Sequence, residues 1–433
     1  MDLLFVLLLL CSIILNCHSN EEESHANNFS YKTERSAMNH VFRESIPLLT
    51  SRRDLVKKHR VEPDHPHEVI FVIAQRNIDE LTSILHDLSD PLSVNYGQHW
   101  SSEEVADFTS NLEARDAVVA YLHAEGASIV SETLHGEYIT ANAPVVVWEK
   151  MFRTVFYWYD QGHRDNSFDT ILRAEEYWIP KELDMHVASV LRTIDTHPRV
   201  SKAPRSMQRG FGTKQNLQNK HASAIGPGYI TPTDLRNYYN MSMTTKGSTA
   251  STQMIFAGVS QYFSPTDILT FQTEYGVLPG QPVAASINNH SSDAKCLQRQ
   301  ENCHEANLDL EYIMTTSPES PTTFWYTDGW FDGFLRDVSN SLNLPRVISI
   351  SYASQENLVS KGSHDSFTTQ AIKLGTMGVT IVASSGDDGA NSYDVGNYGI
   401  GSCNYQGIFP ATSPYVLAVG GTAVSAEFYG ECH

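Results

Sequence analysis

The sequence predicts an α/β protein, a doubly wound parallel sheet preceded by a smaller α+β unit. Three observations predict it. From about residue 226, short apolar, β-branched or aromatic runs alternate with helical stretches, the order that builds a parallel sheet covered on both faces. Before that, residues 67–195 mix strand-like and helix-like segments without such alternation. Between the two, SKAPRSMQRGFGTKQNLQNK (201–220) is basic, rich in Gly, Ser and Gln and nearly free of aliphatic side chains, the composition of an exposed tether open to nicking.

Each element has its own reason. HEVIFVIA (67–74) reads as a strand. Residues 77–88 read as a helix, because Ile78, Leu81, Ile84, Leu85 and Leu88 recur at helical spacing. SSEEVADF (101–108) opens with serine caps followed by acids, a helix start, and residues 112–125 form another helix. SIVSETL and GEYITANA look like paired strands about His135-Gly136. Residues 143–152 are helical, and VFYWYD and ILRAEEYWIP are aromatic-rich strands. In the second unit the strands are 252–259, 281–288, 322–327, 346–352, 379–385 and 415–421, with helices near 265–275, 304–315, 331–342 and 365–377. Sites in such sheets form at the carboxyl ends of strands. Ser384-Ser385-Gly386-Asp387 falls at one. The sequence shows no internal repeat.

Length and composition set bounds. A chain of 433 residues holds two or three domains, and 41% hydrophobic residues suffice for packed cores. Fifty acids against thirty bases give a net charge of −20, which argues against nucleic acid or an anionic membrane as partner. The apolar run from Leu3 to Leu15, followed by a polar turn, reads as a secretory signal over residues 1–19, and no later run is long enough to cross a bilayer. Cys11 and Cys17 would leave with that signal. Cys296, Cys303, Cys403 and Cys432 remain, an even number that suits disulfides; Cys296 with Cys303 would close a small loop, and the pairing of the others stays open. Asn28, Asn240 and Asn289 head glycosylation sequons.

The residues that point to chemistry are acids. In CHEANLDLEYI, Glu305 and Asp309 stand at i and i+4, one above the other on a helix face. Like charges so placed destabilise a helix slightly, so helix stability does not explain them. Neighbouring carboxyls push their pKa values apart and can share a proton, which suits acid–base work at low pH.

Five separated segments, DLSDPLSVNYGQHWSSEEVADF (87–108), EANLDLEYIM (305–314), LPRVISISY (344–352), VTIVASSGDDGA (379–390) and FPATSPYVLAVGGT (409–422), resemble the sedolisin family of serine-carboxyl peptidases in family order. Within that family the similarity leans to lysosomal members that remove tripeptides from free N-termini. The resemblance implies a subtilisin-like sheet and a ferredoxin-like prodomain. It divides the chain into signal (1–19), activation prodomain (20–197), linker with processing site (198–225, cleavage between Lys214 and Gly228) and partial peptidase domain (226–433). It implies Glu305 as general base, Asp309 orienting it and sharing its proton, and Asp387 as oxyanion donor. Peptides with free N-termini would be substrates, and the prodomain would be an intramolecular inhibitor.

Departures from the family pattern matter. Asp388 stands where the family has the serine of SGDSG, and no GTSAS motif carrying the nucleophile is present; Gly421-Thr422-Ala423 belongs to a strand motif. The nucleophile and the calcium ligands of the family are therefore expected beyond this chain, which reads as C-terminally truncated and inactive as written. The alternative is a catalytically inactive product that binds or inhibits a full-length relative. Fourteen of the 18 histidines fall at or before His221. Their protonation below about pH 6 is expected to loosen the prodomain's hold on its partner surface or on itself.

Overall fold

The computed structural model describes residues 39–46, 55–162, 168–196, 230–242, 244–275, 280–327, 331–386 and 407–421. The expected signal segment and tether, together with Asn28, Asp387, Asp388, Cys403 and Cys432, lie outside the described residues.

The first unit runs β1 (His40–Ser45), β2 (Leu55–Arg60), β3 (Pro66–Ile73), α1 (Ile78–Ser89), α2 (Ser102–Thr109), α3 (Leu112–Ala124), β4 (Ser128–Glu132), β5 (Tyr138–Pro144), α4 (Val145–Phe152), β6 (Phe156–Gly162), β7 (Phe168–Ala174), β8 (Glu176–Pro180) and β9 (Val187–Leu191). Its main sheet is antiparallel with order β4-β5-β3-β9. The run VIFVI in β3 is continuously apolar because both of its faces are covered. Val69, Phe71 and Ile73 enter the core with Val118, Trp148 and Phe152 of α3 and α4. Ile70 and Val72 cluster with Tyr138 and Leu191 on the other face. The expected strand ILRAEEYWIP divides at Glu175, because β7 pairs with β6 whereas β8 crosses to pair with β1. Strands β1 and β2 were not foreseen. HVFRES and LVKKHR bury almost nothing, with Leu55 the one buried side chain between them, so they show no apolar alternation.

The second unit contains α5 (Pro232–Tyr238), β10 (Gln253–Ala257), α6 (Pro265–Glu274), β11 (Ala285–Ile287), α7 (Asp293–Gln298), α8 (His304–Thr316), β12 (Thr322–Tyr326), α9 (Phe331–Ser339), β13 (Val347–Ile350), β14 (Ser354–Gln355), α10 (Lys361–Thr376), β15 (Thr380–Ser384), β16 (Ile408–Phe409) and β17 (Leu417–Val419). Six strands form one parallel sheet, order β11-β12-β10-β13-β15-β17. Side chains alternate across it, as strand geometry requires. In β10, Ile255 and Ala257 meet Ile268 of α6 and Ala306, Leu310 and Met314 of α8. Met254 and Phe256 point the other way, to Phe331 and Phe334 of α9 and Phe367 and Leu374 of α10. Helices therefore cover both faces. The outer strands β11 and β17 are shorter than expected, since an edge strand has one hydrogen-bonded neighbour. Helix α10 starts four residues earlier than expected, where the Ser360 side chain caps the Ser363 N–H at 3.2 Å.

The two units meet along α10. Leu81 and Leu85 of α1 and Val105 of α2 sit in the core of the second unit beside Ala371, Leu374 and Met377. A Cβ on Gly375 would stand 2.9 Å from Leu85 Cδ1, so the close approach of α1 needs a glycine there. The Tyr138 hydroxyl lies 2.8 Å from Ser366 Oγ and accepts from Gln370 Nε2 at 3.0 Å. Lys373 forms a buried ion pair with Glu137. Glu44 accepts from the free backbone N–H groups of Lys361 and Gly362, capping α10 from the opposite unit.

Candidate active site

Helix α8 forms because Ala306, Leu310 and Met314, spaced by four, bury one stripe against the sheet. Its two ends are held from outside. At the start, the N-cap residue Cys303 makes no side-chain cap hydrogen bond but is tied by a disulfide to Cys296 of α7, with Cα atoms 5.5 Å apart. The turn after β10 braces the same place, Tyr262 N–H donating to Asn302 O at 2.8 Å. At the far end the last turn has no basic residue of its own. The buried guanidinium of Arg236, from α5, donates to Thr315 O at 2.8 Å and to Ser242 O at 2.8 Å. A cation thus meets the unsatisfied carbonyls and the negative end of the helix dipole.

Glu305 lies in the first turn of α8, where negative charge is favoured by the dipole. Asp309 lies one turn deeper, half-buried as a residue and with its carboxyl enclosed. Burial first, then the charge of Glu305, hold that carboxyl well above the usual carboxylate range; a hydrogen bond from Ser351 works against them. Ser351 Oγ donates to Asp309 Oδ1 at 2.7 Å. Tyr352 is fully buried beside them, its hydroxyl pushed up by burial and then by the Asp309 and Glu305 charges.

The carboxyl end of the sheet around this helix is strained. After β10, Val259 and Ser260 have φ of 53° and 56°; after β11, Asn288 and Asn289 have 62° and 57°. Left-handed backbone at a β-branched valine is costly and is retained where neighbouring structure enforces it, often at functional sites. Tyr326 provides part of that enforcement. Its hydroxyl accepts from Ser260 N–H at 3.1 Å and its carbonyl from Asn288 Nδ2 at 2.7 Å. The His290 ring stacks between Tyr262 and Tyr326, at centroid distances of 4.2 and 3.3 Å.

Of the residues expected at the site, Glu305 and Asp309 come together on α8, and the Cys296–Cys303 loop is closed. Asn240 and Asn289 are exposed. Asp387 follows the described Ser385-Gly386 turn, where Ser385 N–H donates to Val419 O at 2.9 Å. Sequence reasoning missed Ser351 and Tyr352. It carried their strand through residue 352, whereas β13 ends at Ile350; a strand ending two residues earlier would have placed both at its carboxyl end. Among the described residues no group of three or more His, Cys, Asp or Glu side chains is placed to hold a metal.

Chemically, two adjacent carboxyls of unequal environment favour a state with one proton between them in acid. Burial and the neighbouring charge set which of the two carries that proton.

Comparison with known proteins finds one family model and a set of curated relatives. Residues 53–196 match the family model described as the pro-kumamolisin activation domain. Tripeptidyl-peptidase 1 of Dictyostelium discoideum is 30% identical over 387 residues, covering 82% of this chain and 61% of the relative. That of Homo sapiens is 26% identical over 383 residues, covering 85% and 64%. The chain thus spans less than two thirds of the length of these relatives. A solved structure of Pseudomonas sedolisin complexed with pseudo-iodotyrostatin aligns over 44% of this chain and 53% of that one, at 23% identity and a TM-score of 0.35, too loosely to carry an argument. The chain thus matches an activation-domain family over residues 53–196 and is similar to tripeptidyl-peptidase 1 along most of its length.

Proposed function

We propose that this chain carries the prodomain and the acid-bearing part of a peptidase that removes tripeptides from free N-termini in an acidic compartment. The observation that carries the reading is the enclosed Asp309 beside Glu305 on α8, with its pKa held high. Glu305 takes the proton of an attacking serine hydroxyl, and Asp309 shares that proton and orients the base. A glutamate base remains ionised near pH 4 to 5, where a histidine would be protonated. Asp387, protonated in acid, donates to the oxyanion of the tetrahedral intermediate. The serine belongs to a GTSAS-type segment, which these 433 residues do not contain.

The finer features of the fold fit the same reading. Strand order β4-β5-β3-β9, all antiparallel, supports a ferredoxin-like prodomain, and the six parallel strands with helices on both faces support a subtilisin-like peptidase unit. The prodomain docks on α10, the sheet face opposite α8, and acts as an intramolecular inhibitor. The disulfide and the exposed sequons at Asn240 and Asn289 support passage through the secretory pathway to the lysosome.

The test is release of N-terminal tripeptides at pH 4 to 5 by the protein expressed from the whole coding sequence. Glu305→Gln is expected to lower kcat at least ~100-fold, the scale of losing a general base. A polypeptide of residues 1–433 alone is expected to release none. Activity unaffected by Glu305→Gln would refute the reading.

A further inference from the structure

We propose that Ser351 is a positioning residue for the acid pair: its hydroxyl holds Oδ1 of Asp309, so that the pair carries its proton on Oδ2. The inference rests on the functional reading above and deepens it.

The geometry supports a directed contact. Ser351 follows directly on β13, whose Ile348 and Ile350 are locked in the core, so the serine is delivered from a rigid strand end. Its Oγ lies 2.7 Å from Oδ1, the distance of a hydroxyl donating to a carboxylate. Asp309 comes from the opposite partner in the packing, α8, whose two ends are pinned by the disulfide and by Arg236. Neither side can drift without moving the core. An oxygen that already accepts a strong hydrogen bond is the less basic of the two, so the proton resides on the other. The hydroxyl also offsets part of the desolvation of the ionised form, which keeps Asp309 able to pass its proton to Glu305 and take it back. Tyr352, next in sequence, is buried close enough to the same acids to feel both charges.

The experiment follows the Asp309 carboxyl by carbon NMR in the full chain labelled at aspartate, with the resonance assigned by its loss in Asp309→Asn. Ser351→Ala is expected to raise the Asp309 midpoint by about one to two pH units, the worth of a hydrogen bond to a charged group. Ser351→Thr is expected to restore it, and Ser351→Cys, a weak donor, to give an intermediate shift and to serve where alanine does not fold. In the active peptidase the acid limb of the kcat profile should move with the midpoint. An unchanged midpoint in Ser351→Ala or Ser351→Cys, with or without a loss of thermal stability, overturns the inference. It would do so even if Glu305→Gln abolished activity, in which case the functional reading stands. A shifted midpoint together with activity indifferent to Asp309→Asn would keep the hydroxyl contact and sink the functional reading instead.

Discussion

At the scale of single residues, a raised pKa alone does not mark the site. Glu311, two residues beyond Asp309 on α8, is also pushed up to about 7, by burial and then by Asp267. What sets Asp309 apart is a charged neighbour at helical spacing and a donor aimed at one oxygen. Its folded-state pKa lies above the unfolded value of about 3.9, so ionisation at neutral pH opposes folding and the opposition fades as the group is protonated. Asp309→Asn is therefore expected to stabilise the chain at pH 7 by ~1–3 kcal/mol, the scale of a poorly satisfied buried polar group. The gain should vanish toward pH 4, as read by denaturant midpoints at both pH values; a loss at pH 7 would contradict the account. The pair was legible in the sequence because i,i+4 spacing is a local property. Ser351 was not, because its contact with Asp309 spans 42 positions and exists only once α8 lies across the sheet.

At the scale of elements, α8 shows how a helix with a poor start and a poor end is made rigid by its neighbours. The N-terminus carries no side-chain cap and is held by a disulfide instead; at the C-terminus Arg236 adds to the Thr315 and Thr316 hydroxyls, which reach only the carbonyls of Tyr312 and Ile313. Arg236→Met is expected to cost ~2–3 kcal/mol, since hydrogen bonds from a charged donor to buried carbonyls are lost together. Thermal unfolding, with amide exchange concentrated in residues 312–316, would check it; unchanged protection there would show that α8 is held by packing alone. Central strands such as β10, β12, β13 and β15 were readable from the sequence, because each is a short run of mainly apolar, β-branched or aromatic residues, wholly buried in β10 and buried at alternate positions in the others. Helix α5 had a usable signal in Thr231-Pro-Thr-Asp234, where the Thr231 side chain caps the Asp234 N–H and proline takes the first turn. Strands β1 and β2 had none, their pairing being made by backbone groups while most side chains face water.

At the scale of the whole molecule, acid acts in opposite directions on the contact between the units and on the fold of the first unit. Glu44 and Asp332 line the docking face and are each pushed up to about 7. Burial is the first cause for both, followed for Asp332 by the charge of Asp195; Asp195 and Asp365 also face Glu44, and Arg336 opposes the shift at Asp332. Both carboxyls sit above their free values. Their contribution to docking is thus fully present below about pH 4 and lost as pH rises through 7, so acid tightens this contact. Two histidines of the first unit, His40 and His67, are depressed by burial, His67 to about 4. A base depressed in this way gives stability that is present above about pH 6.5 and lost as pH falls toward 4, because the unfolded chain takes up a proton that the folded one refuses. The expected histidine loosening therefore belongs to the prodomain's own fold, where His67 Nε2 lies 2.9 Å from Arg192 O. For the full chain between pH 7 and 4.5, amides of β3, β5 and β9 should lose protection while the α10 contact persists. His67→Gln, neutral throughout, should flatten that loss by up to ~3 kcal/mol. Glu44→Gln should stabilise the chain at pH 7 and make no difference at pH 4. An acid-induced loss equally steep in His67→Gln would mean that the prodomain senses acid elsewhere.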